Sequence, residues 1–193
     1  MMLNSINGKI CLYSFSAIFY WEKSHPNIEM SIPERYIPKV LSKPDKVKQK
    51  KNIEKSRRLY KTHKFFERPK VKSFKSKPSQ HVKRAMEMYD VDAVVPNKEL
   101  AEKTQCSPEA LEKIVNKGRG AYYSSGSRPN QTAESWGLAR LASAITGGNS
   151  SWVDYDILYN GCQKTSPALA MATKTCKKQG KCKKYVGKTV KRQ

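Results

Sequence analysis

Lys70, Lys72, Lys75 and Lys77 alternate with Val71, Ser73, Phe74 and Ser76 in the stretch 68–78. Cations interleaved with an aromatic suit an extended peptide laid on a polyanion, with Phe74 as anchor and the ammonium groups facing phosphates or carboxylates. A second candidate is the Gly-, Ser- and Tyr-rich run 117–132, which carries Arg119 and Arg128 beside Ser124, Ser125 and Ser127. It leads into a helix, whose first N–H groups favour an anion, and Arg119 or Arg128 would complete such a site. No Gly-Lys-Ser/Thr follows the glycines, so it is not a Walker loop. The plainer reading, which we prefer, is an ordered turn in which Tyr122, Tyr123 and Trp136 pack while the polar groups satisfy backbone.

Other chemistries have less to stand on. The histidines His25, His63 and His81 all lie at or before position 81, so the serines of the run have no local base to activate them. No catalytic residue and no cofactor is expected, and the chain reads as a non-enzyme. The five cysteines, Cys11, Cys106, Cys162, Cys176 and Cys182, are odd in number and scattered, which argues against a disulfide framework and for a reducing compartment. Cys176 and Cys182 lack a second Cys or His pair nearby, so no metal site is expected.

The charge is segregated. Lys and Arg number 38 against 16 Asp and Glu, a net charge of +22 over 193 residues. Residues 35–84 hold 19 basic and 3 acidic residues, and 174–193 hold 9 basic and none acidic. The body between them, 85–173, has 8 basic and 10 acidic residues. With 38% hydrophobic residues, below the usual ~45–50%, one core covering the whole length is not expected. A nearly neutral body flanked by two basic arms points to a polyanionic partner. No apolar run reaches the ~18 residues of a membrane span.

The elements follow from periodicity and caps. Residues 1–34 contain the apolar run Ile10 to Trp21, read as a docked strand, an interfacial anchor, or an extension that is no natural part of the functional chain. Residues 35–78 read as an extended basic arm, broken by Pro38, Pro44, Pro69 and Pro78, with one helix possible between Pro44 and Pro69. Extended fully, 35–84 would reach roughly 165 Å. Residues 79–173 form the compact helical domain. Val82, Ala85, Met86 and Tyr89 lie on one helical face. Asn97 caps a helix through Gln105. Ser107-Pro108-Glu109 starts another, which Gly118 would stop. Thr132 caps a central helix through Ile145. A short helix covers Asp154 to Tyr159, and Ser166-Pro167 starts the last, to Thr173. Residues 174–193 are a basic tail. The fold class is therefore mainly α: a small bundle of about five short helices with extended basic N-terminal and C-terminal arms. The segment 97–118 also has helix–turn–helix cadence. Its second helix would present Glu109, Glu112, Lys113, Asn116 and Lys117, and the two glutamates would repel phosphates. A packed hairpin is the better reading than a base reader.

The run Gly120-Ala121-Tyr122-Tyr123-Ser124-Ser125-Gly126-Ser127-Arg128-Pro129-Asn130-Gln131-Thr132, followed by Ser135-Trp136-Gly137, Ala139-Arg140-Leu141-Ala142-Ser143, Gly147-Gly148 and Val153-Asp154, resembles an uncharacterised domain. That domain occurs in large double-stranded DNA viruses of algae and protists, and in related forms in tailed phages. Arg35-Tyr36-Ile37-Pro38-Lys39 and the run 71–77 are similar to the lead-in of the giant-virus members, so the resemblance covers about residues 33–162. It implies no activity and no catalytic residues. It does imply a virion component, assembled inside the infected cell. The expectation is a minor capsid-associated protein whose body docks among other capsid proteins and whose arms tether neighbours or DNA. The alternative is a non-sequence-specific DNA-binding or packaging protein. Membrane contact is the least favoured, and no small-molecule substrate is expected.

Overall fold

The structure, a computed structural model, describes residues 31–182. The apolar run Ile10 to Trp21 and the tail beyond Cys182 lie outside the described residues.

Each helix starts where a short polar side chain can satisfy its first N–H groups. A 3-10 turn, Glu34–Tyr36, comes first. Then α1, Lys43–Tyr60, begins at Ser42, whose Oγ accepts from Asp45 N–H, with Pro44 in its first turn. The helix α2 is Gln80–Tyr89. Asn97 caps α3, Lys98–Thr104, and Ser107 caps α4, Pro108–Ser125. Thr132 and Ser135 form a reciprocal capping box at the start of α5, Ala133–Ile145. Two short helices follow, α6 Asn149–Val153 and α7 Tyr155–Gly161. Ser166 caps α8, Pro167–Lys178. Among the described residues the protein is thus mainly α, as the sequence leads one to expect, with eight α-helices.

The main core forms where α4 and α5 cross, with Leu111, Ile114, Val115, Leu141 and Ile145 fully buried and Leu100 and Leu158 closing it from α3 and α7. Gly118 was expected to end the fourth helix, but α4 runs two further turns. The glycine serves the crossing instead. A Cβ on Gly118 would lie 2.6 Å from Gly137 Cα, and one on Gly137 would lie 2.8 Å from the Val115 carbonyl. Two facing glycines bring the backbones closer than any side chain permits. Tyr89 of α2 ties on by donating to the Ile145 carbonyl at 2.6 Å, and burial pushes its phenol pKa upward.

The basic stretch 35–78 is not an extended arm. Its centre is α1, which packs on the C-terminal half of α4. Ile53 is fully buried there, near Gly126 and Tyr36. Tyr36 meets Trp136 edge to face at 5.8 Å, and Leu41 and Val71 are also buried. Sparse apolar residues are enough because Tyr36, Leu41, Ile53 and Val71 land on the body, so α1 does not need a core of its own.

Cysteines pair as well, against the expectation of isolated thiols. Disulfides join Cys106 to Cys162 and Cys176 to Cys182. The first lies in a short antiparallel bridge, flanked by Ser107 N–H to Gly161 O at 2.8 Å and Gln163 N–H to Gln105 O at 2.9 Å. Fifty-six residues separate the two cysteines, and they meet because α7 returns beside the α3–α4 turn. Cys182 is buried, so the expected tail from 174 is helical to Lys178 and anchored to Cys182.

Candidate polyanion-binding surface

Arg68 is the residue on which the basic stretch and the Gly-Ser-Tyr run converge. Its Nη1 donates to the Tyr122 carbonyl at 2.8 Å and to Ser56 Oγ at 3.1 Å, and its Nη2 donates to Ser127 Oγ at 2.7 Å. The guanidinium lies over the Tyr122 ring, 3.5 Å from its centroid. Burial lowers its pKa, although it stays cationic at any ordinary pH. The Arg68 N–H donates to the Tyr122 hydroxyl at 3.3 Å. Around this centre Gln49 Nε2 bonds the carbonyls of Tyr36 and Ser127, both at 3.2 Å, and Arg57 holds the Ser125 carbonyl at 2.8 Å. Ser125 and Ser127 of the run are therefore structural, holding α1 and the segment after it to the end of α4.

The lysine-bearing segment is pinned by Asn130. Its Oδ1 accepts from Val71 N–H at 2.8 Å, and its Nδ2 donates to the carbonyls of Val71 at 3.0 Å and Phe74 at 2.6 Å. Asp45 Oδ2 accepts from Ser73 N–H at 2.8 Å and from Ser73 Oγ at 2.6 Å. The Ser73 hydroxyl and N–H hold the Asp45 carboxyl below the usual carboxylate value. So Lys70, Lys72, Lys75 and Lys77 stand exposed on an ordered strip, with Phe74 half-buried.

Arg119 and Arg128 do not converge on an anion. Arg119 is committed to Glu134 at 2.7 Å, Glu112 at 2.6 Å and Asn116 Oδ1 at 2.7 Å, and the Glu134 hydrogen bond raises its pKa. Arg128 is exposed, while its carbonyl accepts from Ser127 Oγ at 2.8 Å. The partly buried, multiply bonded guanidinium of this region is Arg68, from the stretch read as an arm. On the second helix of the 97–118 hairpin, Glu112 and Asn116 hold Arg119, and Lys117 Nζ lies 2.8 Å from Asp154 Oδ1 with its side chain still partly exposed.

Asp154 was missed from sequence. It is fully buried and accepts from Arg140 Nε and Nη2 at 2.7 and 2.8 Å as well as from Lys117. Above this cluster an open cleft of about 700 Å³ lies among α4, α5, α7 and the end of α1, lined by Tyr60, Lys113, Lys117, Ser124, Arg140 and Ile157. Its cations outnumber the one carboxylate that holds two of them.

The other cationic feature is α1 itself, with eight Lys or Arg to two acids. Its inner face is Gln49, Ile53 and Ser56, and Lys43, Lys48, Lys50, Lys51, Lys55 and Arg58 are exposed. Among the described residues no group of three or more His, Cys, Asp or Glu is placed to hold a metal ion. No helix among them is long and apolar enough to cross a membrane.

Fold and surface together define a disulfide-linked helical domain with an ordered cationic face. The chain belongs to a family of unknown function, DUF5824, whose model matches residues 33–156. That span takes in α1, the lysine strip and the α4–α5 crossing together. No curated protein and no solved structure matches the chain.

Proposed function

We propose that the protein is a non-enzymatic, minor structural component of a large DNA virus particle, with its body docked among capsid proteins and its α1 face held against viral DNA. The observation that carries the DNA contact is α1: a helix with net charge +6, fixed to the body by Ile53 and by the hydrogen bonds of Gln49 and Ser56, and presenting lysines outward. A rigid row of cations meets a phosphate backbone without ordering itself on binding, and reads no sequence. The virion setting rests on the viral resemblance of the 120–154 motifs. The disulfides support it, since such bonds persist on virion surfaces and rarely inside cells.

Fluorescence anisotropy with duplex DNA tests the contact. With about six phosphates neutralised, log K should fall against log salt with a slope near −5. Lys51→Glu with Arg58→Glu, both at exposed positions, should weaken binding and flatten that slope. Binding that ignores salt, or survives the reversal unchanged, would remove α1 from the account. A second reading has α1 docked on an acidic capsid surface. It is favoured by Val40 and Val47, 71% and 54% exposed among the lysines. Lysine cross-linking of purified particles separates the two, by joining α1 either to capsid proteins or to DNA.

A further inference from the structure

Tyr60 belongs to two features at once. It lines the cationic cleft, and it belongs to an aromatic cluster beside it. Tyr60 and Tyr123 stack with centroids 6.0 Å apart and planes 12° from parallel. Phe65 stands edge-on to both, at 6.0 Å from Tyr60 and 5.0 Å from Tyr123. Phe65 is also 68% exposed, so much of its ring is open to a partner. Tyr123 is held in place by its hydroxyl bond to Glu67.

The cleft supplies the complementary chemistry. Arg140 uses Nε and Nη2 on Asp154, and among the described residues its Nη1 has no partner. Lys117 shares that carboxylate, so Asp154 fixes both cations while neutralising one unit of charge. Lys113 adds a third cation on the same face of α4, one turn before Lys117. Ser124 offers a hydroxyl at the far end, and Ile157 an apolar wall.

We infer that this cleft and its aromatic edge bind single-stranded nucleic acid, an unpaired base stacking at Phe65 and Tyr60 while the adjoining phosphate sits among Lys113, Lys117 and Arg140. Stacking on aromatics beside a basic groove is how strands are held without sequence preference. A duplex keeps its bases stacked on one another and can offer only phosphates. The inference rests on the proposed DNA-binding role and deepens it: the α1 face takes either form of DNA, and the cleft takes the unpaired strand.

The test compares an oligothymidine of about 12 nucleotides, within the usual span of such sites, with a duplex of equal length, using the full chain with its disulfides intact. The expected result is single-strand binding about tenfold tighter than duplex binding. Phe65→Ala should erase that preference, since one lost base stack corresponds to about tenfold or more, and leave duplex binding as it was. Lys113→Ala should weaken single-strand binding and reduce its salt slope by about 0.7. Both side chains are exposed, so circular dichroism should match the parent, with a small fall in melting temperature in Phe65→Ala for its lost ring contacts with Tyr60 and Tyr123. Equal affinity for the two forms, or an unchanged single-strand affinity in Phe65→Ala, would overturn the inference and leave duplex binding by α1 standing. Failure to bind either form would overturn both.

Discussion

Replacing Arg68 should cost more than replacing any other basic residue in the stretch 35–78. The guanidinium makes three side-chain hydrogen bonds, to Tyr122 O, Ser56 Oγ and Ser127 Oγ, and covers the Tyr122 ring. Hydrogen bonds to a charged group contribute about 1.5–3 kcal/mol each, and the ring contact about 1–2 kcal/mol when desolvated. Against this, Arg68→Ala removes the cost of burying a charge, several kcal/mol. Because the site is only partly buried, solvent discounts these gains, and a net loss of about 2–4 kcal/mol is expected, toward the upper end for single substitutions. For a unit of this size that corresponds to a fall in Tm of roughly 5–15 °C. Arg68→Lys keeps the charge but loses the planar fork, so it can reach one or two of the three acceptors and should fall between. Arg128→Ala is the control, since that side chain is exposed, and should lie within about 0.5 kcal/mol of the parent. Urea denaturation followed by circular dichroism measures all three. Limited proteolysis adds a spatial readout: with Arg68 gone, cleavage should appear first in 61–78, where the chain loses its tie to α4. If Arg68→Ala melts with the parent while Arg128→Ala does not, the docking of the basic stretch described above is wrong.

Gly118→Ala should destabilise by about 1–3 kcal/mol, although alanine favours helix by about 1 kcal/mol, because the new Cβ meets backbone at Gly137; a stabilised variant in a urea melt would refute the close crossing. Breaking the Cys106–Cys162 bond, whose sequence separation is 56 residues, should lower stability by about 4 kcal/mol if chain entropy dominates. Calorimetry of a Cys106→Ser, Cys162→Ser double variant tests this, and an unchanged Tm would mean that the link adds nothing. Asp45 should titrate by NMR below its ordinary value of 3.8, and return toward it in Ser73→Ala. Because the folded-state pKa is depressed, this contact stabilises above about pH 4 and is lost as pH falls through the folded value; a parent titration at the ordinary value would show that Ser73 does not hold the carboxylate in solution.

Much of the helical outline was legible because its determinants are local. Asn97, Ser107, Thr132 and Ser166 each accept from an N–H three residues on, a relation that any stretch of sequence displays. Periodicity placed Leu111, Ile114, Val115, Leu141 and Ile145 inside, and all five are fully buried. The segregated positive charge was legible too, since charge is a property of composition. What the tertiary structure decided were questions that one residue type answers in two ways. A glycine ends a helix or admits a neighbouring backbone, and Gly118 does the second because Gly137 faces it. A proline-broken basic stretch stays extended or lies on a surface. This one lies down because Arg68, Ser73 and Val71 find partners 28 to 59 residues away. Arg128 sits within the distinctive motif and Arg68 outside it, yet Arg68 is the one enclosed, since enclosure depends on where α1 sends the chain. Cys106 and Cys162 pair for the same reason: short-range pattern carries no information about which distant segments come to share a wall, and that is set by how α7 packs back on the α3–α4 turn.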